Sequence, residues 1–432
     1  MNERHSPDVV EAPASPASPA EGSPVTPEAP AVTVAPARIR WDRAAQQLLE
    51  GNVVLSVLAV VVALLVGAVL IVATDSGVQA TFPYFFARPG DTVSAIVHAV
   101  GGSYGALFQG GVYNVHGSGF AEGIHPLLTS LGLATPLIAA GLGSAIAFRA
   151  GLFNIGGQGQ ILVSGAVAGW IGFAVSLPTG LHLLVAVAGG VAAGALWAGV
   201  AGVIKARTGA HEVILTIMLN YVALYLLDYF LHTPLLQTPG SSNPVSPAER
   251  HSAVFPALFG SALNLGFLFA VAAVVVAWWL LNRSALGFRF RAVGENPHAA
   301  RTAGIDVPRI TVLAMLVSGL FIGLAGAYQV LGQTTSGFTN SLDAGIGFNA
   351  ITVALLGRSR PWGVLAAGIL FGIFQAGGYA MQASQSVPID VVQVVQSVIV
   401  LFIAAPPLVR AIFRTPAPGT ADRRRRRKEA SA

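Results

Sequence analysis

Cysteine is missing from all 432 residues. Disulfides, cysteine-ligated zinc, iron–sulfur clusters and thiol nucleophiles are therefore excluded. Charge is scarce as well: Asp, Glu, Lys and Arg make up 10% of the chain, against about a quarter of an ordinary soluble domain. Lysine occurs only as Lys205 and Lys428, and neither follows a glycine. A Gly-x4-Gly-Lys-Ser/Thr phosphate loop is thus absent, and the chain cannot hydrolyse ATP by that route. No His-Glu-x-x-His string occurs, which excludes the zinc-protease helix. No row of aspartates on one helix could hold magnesium against a diphosphate. One Gly-x-Ser-x-Gly string is present, Gly101-Gly102-Ser103-Tyr104-Gly105. It lacks the strand–turn–helix setting that would make Ser103 a nucleophile. No catalytic residue and no metal site can be nominated.

What the chain does have is apolar length. Hydrophobic residues make up 54%, glycine contributes 50 residues, and the mean hydropathy is +0.68. These values predict an all-α polytopic membrane protein built from spans of about 20 residues each. Ten segments stand out: Val53–Ala73, Pro126–Phe148, Ile161–Leu177, Leu181–Ile204, Val213–Leu231, Phe255–Leu281, Ile310–Leu331, Gly345–Gly357, Pro361–Ala380 and Val391–Ile412. Val93–Tyr113 is moderately apolar. Its five glycines, from Gly101 to Gly111, make it a poor spanning helix, and it is expected to be interfacial or re-entrant on the outside.

Starting inside and crossing ten times places 22 of the 24 Lys and Arg on the cytoplasmic side, leaving Arg88 and Arg250 outside. That asymmetry is the positive-inside signature and predicts that both termini are cytoplasmic. Residues 1–37 hold eight prolines among Ala, Ser, Glu and Val, a composition that buries no core and reads as a disordered tail. The spanning domain then covers 38–412. Residues 413–432, with Arg423 to Arg427 and Lys428, form a basic tail near anionic lipid headgroups.

Two spans are abnormal. Ile161–Leu177 follows the Gly-rich approach Gly151-Leu152-Phe153-Asn154-Ile155-Gly156-Gly157-Gln158-Gly159-Gln160, and Gly345–Gly357 has only 13 residues. If spans two to five and seven to ten form two halves, each oddity falls second in its half, and each carries a Phe-Asn pair. Short or Gly-broken spans at matching positions point to a transporter's central site. Freed backbone groups at that depth survive only inside protein or beside water.

Ionisable residues in the spans are few. Asp228 lies near the outer end of its span and Glu212 at the inner start of the same one, and neither makes a proton relay. The polar residues of the spans are neutral: Asn154, Gln158, Gln160, Asn220, Asn349 and Thr352 among them. Asn154 and Gln158 share a face if that stretch is helical, as do Asn349 and Thr352. Two readings stay open. They are interhelical glue, or they line a wet pathway for a neutral, hydroxyl-rich solute, with Phe153 and Phe348 adding apolar or stacking faces.

The inner loop Arg283–Arg309 contains a helix signature. Asn296 can cap it, Pro297 can be its first residue and Gly304 can end it. A helix of about two turns is too short to stand alone in water and must dock, on its own bundle or in a partner.

At these places the chain resembles the permease subunit of ATP-binding-cassette importers for nucleosides and simple sugars. The matching pieces are Thr135-Pro136-Leu137-Ile138, Phe148 through Gln160, and Glu212-Val213-Ile214 leading to Met218-Leu219-Asn220-Tyr221. The loop Arg291 to Ile305 and the stretch Gly347-Phe348-Asn349-Ala350-Ile351 to Leu356-Gly357 also match. Together they span about residues 126–410. The Asn-Ile-Gly-Gly-Gln-Gly-Gln form leans to the nucleoside branch, and the family usually has Glu where Gln158 stands.

The resemblance implies a multi-pass protein of the plasma (inner) membrane, in contact with lipid and not with nucleic acid. Its partners would be a second permease, an ATPase with two nucleotide-binding domains and an extracytoplasmic binding protein. This chain would bind no cofactor, ATP being used by the partner. Phe153, Asn154, Gln158, Gln160, Asn220, Phe348, Asn349 and Thr352 would belong to the substrate pathway. Glu295, Asn296, Pro297, Ala299, Ala300, Arg301 and Gly304 would form the helix that seats in the ATPase. The alternatives are a permease for sugars such as ribose or galactose, an ion-coupled secondary carrier, which lacks its relay, and an intramembrane enzyme, which lacks its catalytic groups.

Overall fold

The structure, a computed structural model, describes residues 52–258 and 263–404. The Pro-rich tail, the basic C-terminal run and the end of the last predicted span lie outside the described residues. Fourteen α-helices follow in order: α1 Asn52–Thr74, α2 Ser76–Thr81, α3 Pro89–Gly111, α4 Phe120–Arg149, α5 Gly157–Ala174, α6 Leu181–Thr208 and α7 Glu212–Leu231. Then come α8 Gly266–Arg283, α9 Ala285–Glu295, α10 Pro297–Thr302, α11 Val307–Tyr328, α12 Ile346–Leu356, α13 Pro361–Gln385 and α14 Ile389–Ala404. Among the described residues there is no strand, only an isolated bridge between Ala257 and Asn264.

Six of these are long and apolar enough to cross a membrane: α4, α6, α7, α8, α11 with its π-helical extension to Gln333, and α13. A bent pair near α1 and α2 makes a seventh if it is one span. Gln158 and Gln160 lower the hydropathy of α5, and α12 has only 11 residues. Both abnormal segments are therefore helical but too polar or too short to count among these spans.

Val93–Tyr113 lies largely within one unbroken 23-residue helix, α3, which is not among the helices long and apolar enough to cross a membrane. Its glycines do not break it, because Gly110 and Gly111 are where it meets α13, at Ala380 and Ile373. Ser103 sits inside this helix, nearly inaccessible. One expected span starts late: of the described residues of Phe255–Leu281, only those from Gly266 are helical. There the Asn264 side chain accepts from the Gly266 N–H, and the Pro256 carbonyl accepts from the Leu265 N–H.

The helices pack through small residues, as membrane helices do when backbones must approach closely. On α6, Gly194 faces Gly323 of α11, where a Cβ would stand 2.7 Å from the Gly323 Cα. Gly368 and Gly372 of α13 lie against Ile138 and Ser130 of α4. Around these contacts runs the main core, with Leu137, Ile138, Leu142 and Ile146 of α4 buried against Met315 and Ile322 of α11. That core fixes where the two short helices can sit.

Candidate functional site

The two abnormal helices meet. The N-terminal end of α5 crosses that of α12, with Gly157 against the Gly347 carbonyl and Gly347 against the backbone of Gln158. Between α4 and α5 the chain from Leu152 to Gly156 is not helical. Asn154 and Gln158 therefore do not share a helical face. The unwound stretch leaves backbone N–H groups that need partners where they are buried.

One face of α7 supplies them. Glu212, Thr216 and Asn220 stand at four-residue steps. The Glu212 carboxylate accepts from Phe153 N–H at 3.4 Å, the Thr216 hydroxyl from Ile155 N–H at 3.3 Å, and Asn220 Oδ1 from Gly159 N–H at 2.9 Å. Asn220 Nδ2 donates back to the Ile155 carbonyl at 3.0 Å. Lys205 at the end of α6 pairs with Glu212 at 2.7 Å and holds the bottom of this ladder.

Asn154 turns the other way. Its Nδ2 donates to the Ser318 hydroxyl at 3.0 Å, which in turn donates to the Gly143 carbonyl at 2.8 Å. Its Oδ1 accepts from Gly156 N–H at 2.9 Å and from Gln160 Nε2 at 3.1 Å. The unwound segment is thus sewn to α4, α7 and α11 by neutral groups plus one paired carboxylate.

The nominated pathway residues divide into two sets. Asn154, Gln160 and Asn220 are buried, at 0, 1 and 4% exposure, and their polar atoms are used within the chain. Phe153, Gln158, Phe348, Asn349 and Thr352 remain at least partly exposed. Phe153 stacks on Phe148 with ring centroids 5.0 Å apart, and Thr352 donates to the Asn349 carbonyl at 2.7 Å. The glycine crossing sets the Gln158 backbone against Gly347, the neighbour of Phe348, which is half exposed.

Asp343, which the sequence reading missed, completes the crossing. It is buried and accepts from Gly345 N–H at 3.1 Å and Gly347 N–H at 2.9 Å. A carboxylate at a helix N-terminus is favoured by the dipole and by the free N–H groups. Its signal was present in the sequence: an Asp two residues before the first glycine of a too-short span. Glu249, outside any helix between α7 and α8, was also missed. Its carboxyl packs against Gly169 and Gly172 of α5, is 8% exposed, and neither oxygen has a hydrogen-bond partner. Burial pushes it up to about 8. No span pattern could have found it, because it lies in a loop.

On the cytoplasmic side, α10 forms as its spacing predicts. Asn296 caps it by accepting from His298 and Ala299 N–H, both at 3.0 Å, and Gly304 follows its end at φ +80°. Glu295, Asn296, Pro297, Ala299, Arg301 and Gly304 are exposed, whereas Ala300 is buried against the bundle. An open hollow of about 860 Å³ lies beside it, bounded by Phe288, Arg289 and Arg309. At the end of α9, Gly294 touches the other side of the site's entrance. A Cβ there would meet Gly151 N at 2.8 Å, and the Arg149 carbonyl closer still. Gly151, at φ +72°, is three residues before Asn154. Arg149 Nε also donates to the Ser359 carbonyl, just beyond α12, at 3.0 Å.

No solved structure matches the chain. Among curated proteins it is 40% identical over 281 residues to the guanosine ABC transporter permease protein NupP of Bacillus subtilis (strain 168), covering 65% of this chain and 81% of that one. It is 35% identical over 300 residues to the nucleoside ABC transporter permease protein NupB of Lactococcus lactis subsp. cremoris, covering 66 and 80%. It is also 35% identical over 282 residues to a glucose ABC transporter permease protein of Haloferax volcanii, covering 62 and 73%. Residues 127–404, which hold both crossing helices and the α10 loop, match the family described as the permease component of branched-chain amino acid transport systems, and the chain belongs to that family.

Proposed function

We propose that this chain is a pathway-forming permease of an ATP-driven importer for nucleosides. It crosses the membrane ten times with both termini cytoplasmic, an arrangement supported by 22 of 24 basic residues falling inside. It works with a second permease, an ATPase of two nucleotide-binding domains and an external substrate-binding protein. The chain does no chemistry of its own.

The observation that carries this reading is the contact of Gly294 with Arg149 and Gly151. Through it the exposed helix α10 and the unwound segment bearing Asn154 form one continuous backbone path. ATP-driven movement of a partner seated on Glu295 to Gly304 displaces Gly294, hence Gly151, hence the α5–α12 crossing. The exposed groups at that crossing, Phe153, Gln158, Phe348, Asn349 and Thr352, are neutral. They suit an uncharged solute with hydroxyls and a flat ring.

The test is a mild-detergent pull-down of the tagged chain from its native membranes, followed by uptake of guanosine and of glucose. Recovery of an ATP-binding-cassette ATPase and a second permease, lost when Pro297–Ile305 is replaced, together with guanosine uptake that glucose does not compete for, supports the proposal. A chain that purifies alone and moves solute in liposomes without ATP overturns it.

A further inference from the structure

Residues 334–345, between the π-helical end of α11 and the start of α12, contain no helix. They still run deep into the bundle. Phe338 packs on Gly169 of α5, Leu342 on Gly165, and Gly347 on Gly157. The chain therefore descends antiparallel to α5, and from Gly169 to Gly157 is about 18 Å of helix. With 18 residues, α5 is about 27 Å long, close to the thickness of a hydrocarbon core. Its neighbour α6, whose Gly190 lies against Ser164 and Ala168, is one of the spanning helices.

Irregular backbone at that depth survives only inside protein or beside water. One side of the segment is inside protein. Phe338, Leu342 and Asp343 are buried, the Phe338 N–H donates to the Ser246 hydroxyl at 2.9 Å, and the Thr335 carbonyl accepts from the Glu249 N–H at 2.9 Å. The other side is open: Asn340, Ser341 and Ala344 are exposed and Thr339 is half-buried. That open side is unfit for lipid, unlike the aliphatic face of α6 with Leu196, Val200 and Val203.

Asp228 of α7 meets this open side. Its Oδ1 accepts from Asn340 Nδ2 at 3.0 Å. Among the described residues no ion pair neutralises it. A dry contact with a partner would desolvate an unpaired charge, so the half-buried carboxylate marks water. Beside it the Thr339 and Ser341 hydroxyls lie 2.8 Å apart. This cluster joins the crossing along two elements. On α7, Asn220 holds Gly159, and Asp228 is about 12 Å further out. On the segment, the chain from Asn340 leads to Gly347, which rests on Gln158.

We infer that Asp228, Thr339, Asn340 and Ser341 form an outer subsite of the pathway, which binds adjacent hydroxyls of an uncharged solute on its way to the crossing. This rests on the nucleoside-importer reading, under which the hydroxyls are the ribose diol. Asn340 fixes one carboxylate oxygen and leaves the other to accept from the solute. The Thr339 and Ser341 hydroxyls donate or accept as the sugar turns.

The natural lack of cysteine makes the subsite testable in the full chain within its native complex. Ser341→Cys and Ala344→Cys, with Leu196→Cys as the lipid-facing control, are treated in right-side-out membranes with a charged, membrane-impermeant thiol reagent, and labelling is read by mass. We expect labelling at the first two positions and not at the control, with guanosine slowing it several-fold at Ser341→Cys. Asp228→Asn keeps an oxygen for Asn340 and removes only the free carboxylate oxygen. It should lower guanosine uptake about ten-fold at unchanged recovery of the complex, the effect of one hydrogen bond to a charged group, and Asp228→Glu should restore part of it. If both cysteines resist labelling while the unsubstituted complex imports guanosine, a partner covers this face and the inference alone is overturned. Labelling that guanosine leaves unchanged, with full uptake by Asp228→Asn, also overturns it: the face is wet but binds nothing. If the unsubstituted complex imports no nucleoside, the functional reading falls and takes the inference with it.

Discussion

Gly157 and Gly347 cross with backbone against backbone: a Cβ on Gly157 would stand 2.8 Å from the Gly347 carbonyl oxygen. Neither helix can yield locally, because the obstructing atoms are main chain. Gly347→Ala should cost about 1–3 kcal/mol, as overpacking does in a close-packed interior. It should lower the melting temperature in detergent together with uptake. Gly105→Ala is the contrast, since nothing lies within 4 Å of the Cβ it would add. Equal melting temperatures for the two variants would refute the crossing.

Asn220 makes one bond to the unwound segment and one to the first turn of α5, and Asn220→Ala leaves both the Ile155 carbonyl and the Gly159 N–H without a partner. Each orphaned buried group costs about 1–3 kcal/mol. Limited proteolysis should show faster cleavage between Gly151 and Gln160 in this variant. Asn220→Asp, which keeps the acceptor for Gly159, should be cut at an intermediate rate. Unchanged cleavage in both would mean that the segment is held by something other than α7.

Glu249 gives a pH dependence. Its carboxyl is raised from an ordinary 4.5 to about 8, so between those values the folded chain holds a proton that the unfolded chain has released. Stability is then greatest in acid and falls as pH rises towards 8, by about 1.4 kcal/mol per unit at most. Melting temperature should decline from pH 6 to pH 8 in the wild type and stay flat in Glu249→Gln. A parallel decline in both proteins would remove Glu249 as the source.

Asn296 caps α10 through two backbone N–H groups. Asn296→Ala should weaken this helix by about 0.5–2 kcal/mol, and Asn296→Asp should preserve it. In the pull-down, recovery of the ATPase is expected to fall several-fold with Ala and little with Asp. Equal recovery would show that docking does not depend on a formed α10.

Much of this architecture was legible in the chain. Apolar runs located the long helices because lipid-spanning length leaves a strong signal, and the Asn296-Pro297 pair located α10 because capping chemistry is local. The two broken spans were visible as interruptions, but their meeting was not, since Gly157 and Gly347 are joined only through tertiary packing. The division of the polar residues was hidden for the same reason. Asn154 and Asn220 look like pathway groups in sequence, yet the partners that use them, Ser318 and Gly159, lie on other elements. The glycines of α3 are held in an unbroken helix because a helical glycine costs only about 1 kcal/mol, which close packing of Gly110 and Gly111 on α13 offsets.

The join between Gly294 and Gly151 has a mechanical meaning. Where two side chains meet, rotamers can flex and absorb a small displacement before anything beyond them moves. Main chain against main chain has no such play, and a dense interior transmits strain instead of storing it. With a Cβ on Gly151 already 3.0 Å from the Gly294 Cα, the linkage runs without backlash. If the chain works as the proposed importer, even one added methyl group there would act as a wedge in the gearing, uncoupling stroke from gate while leaving both ends intact.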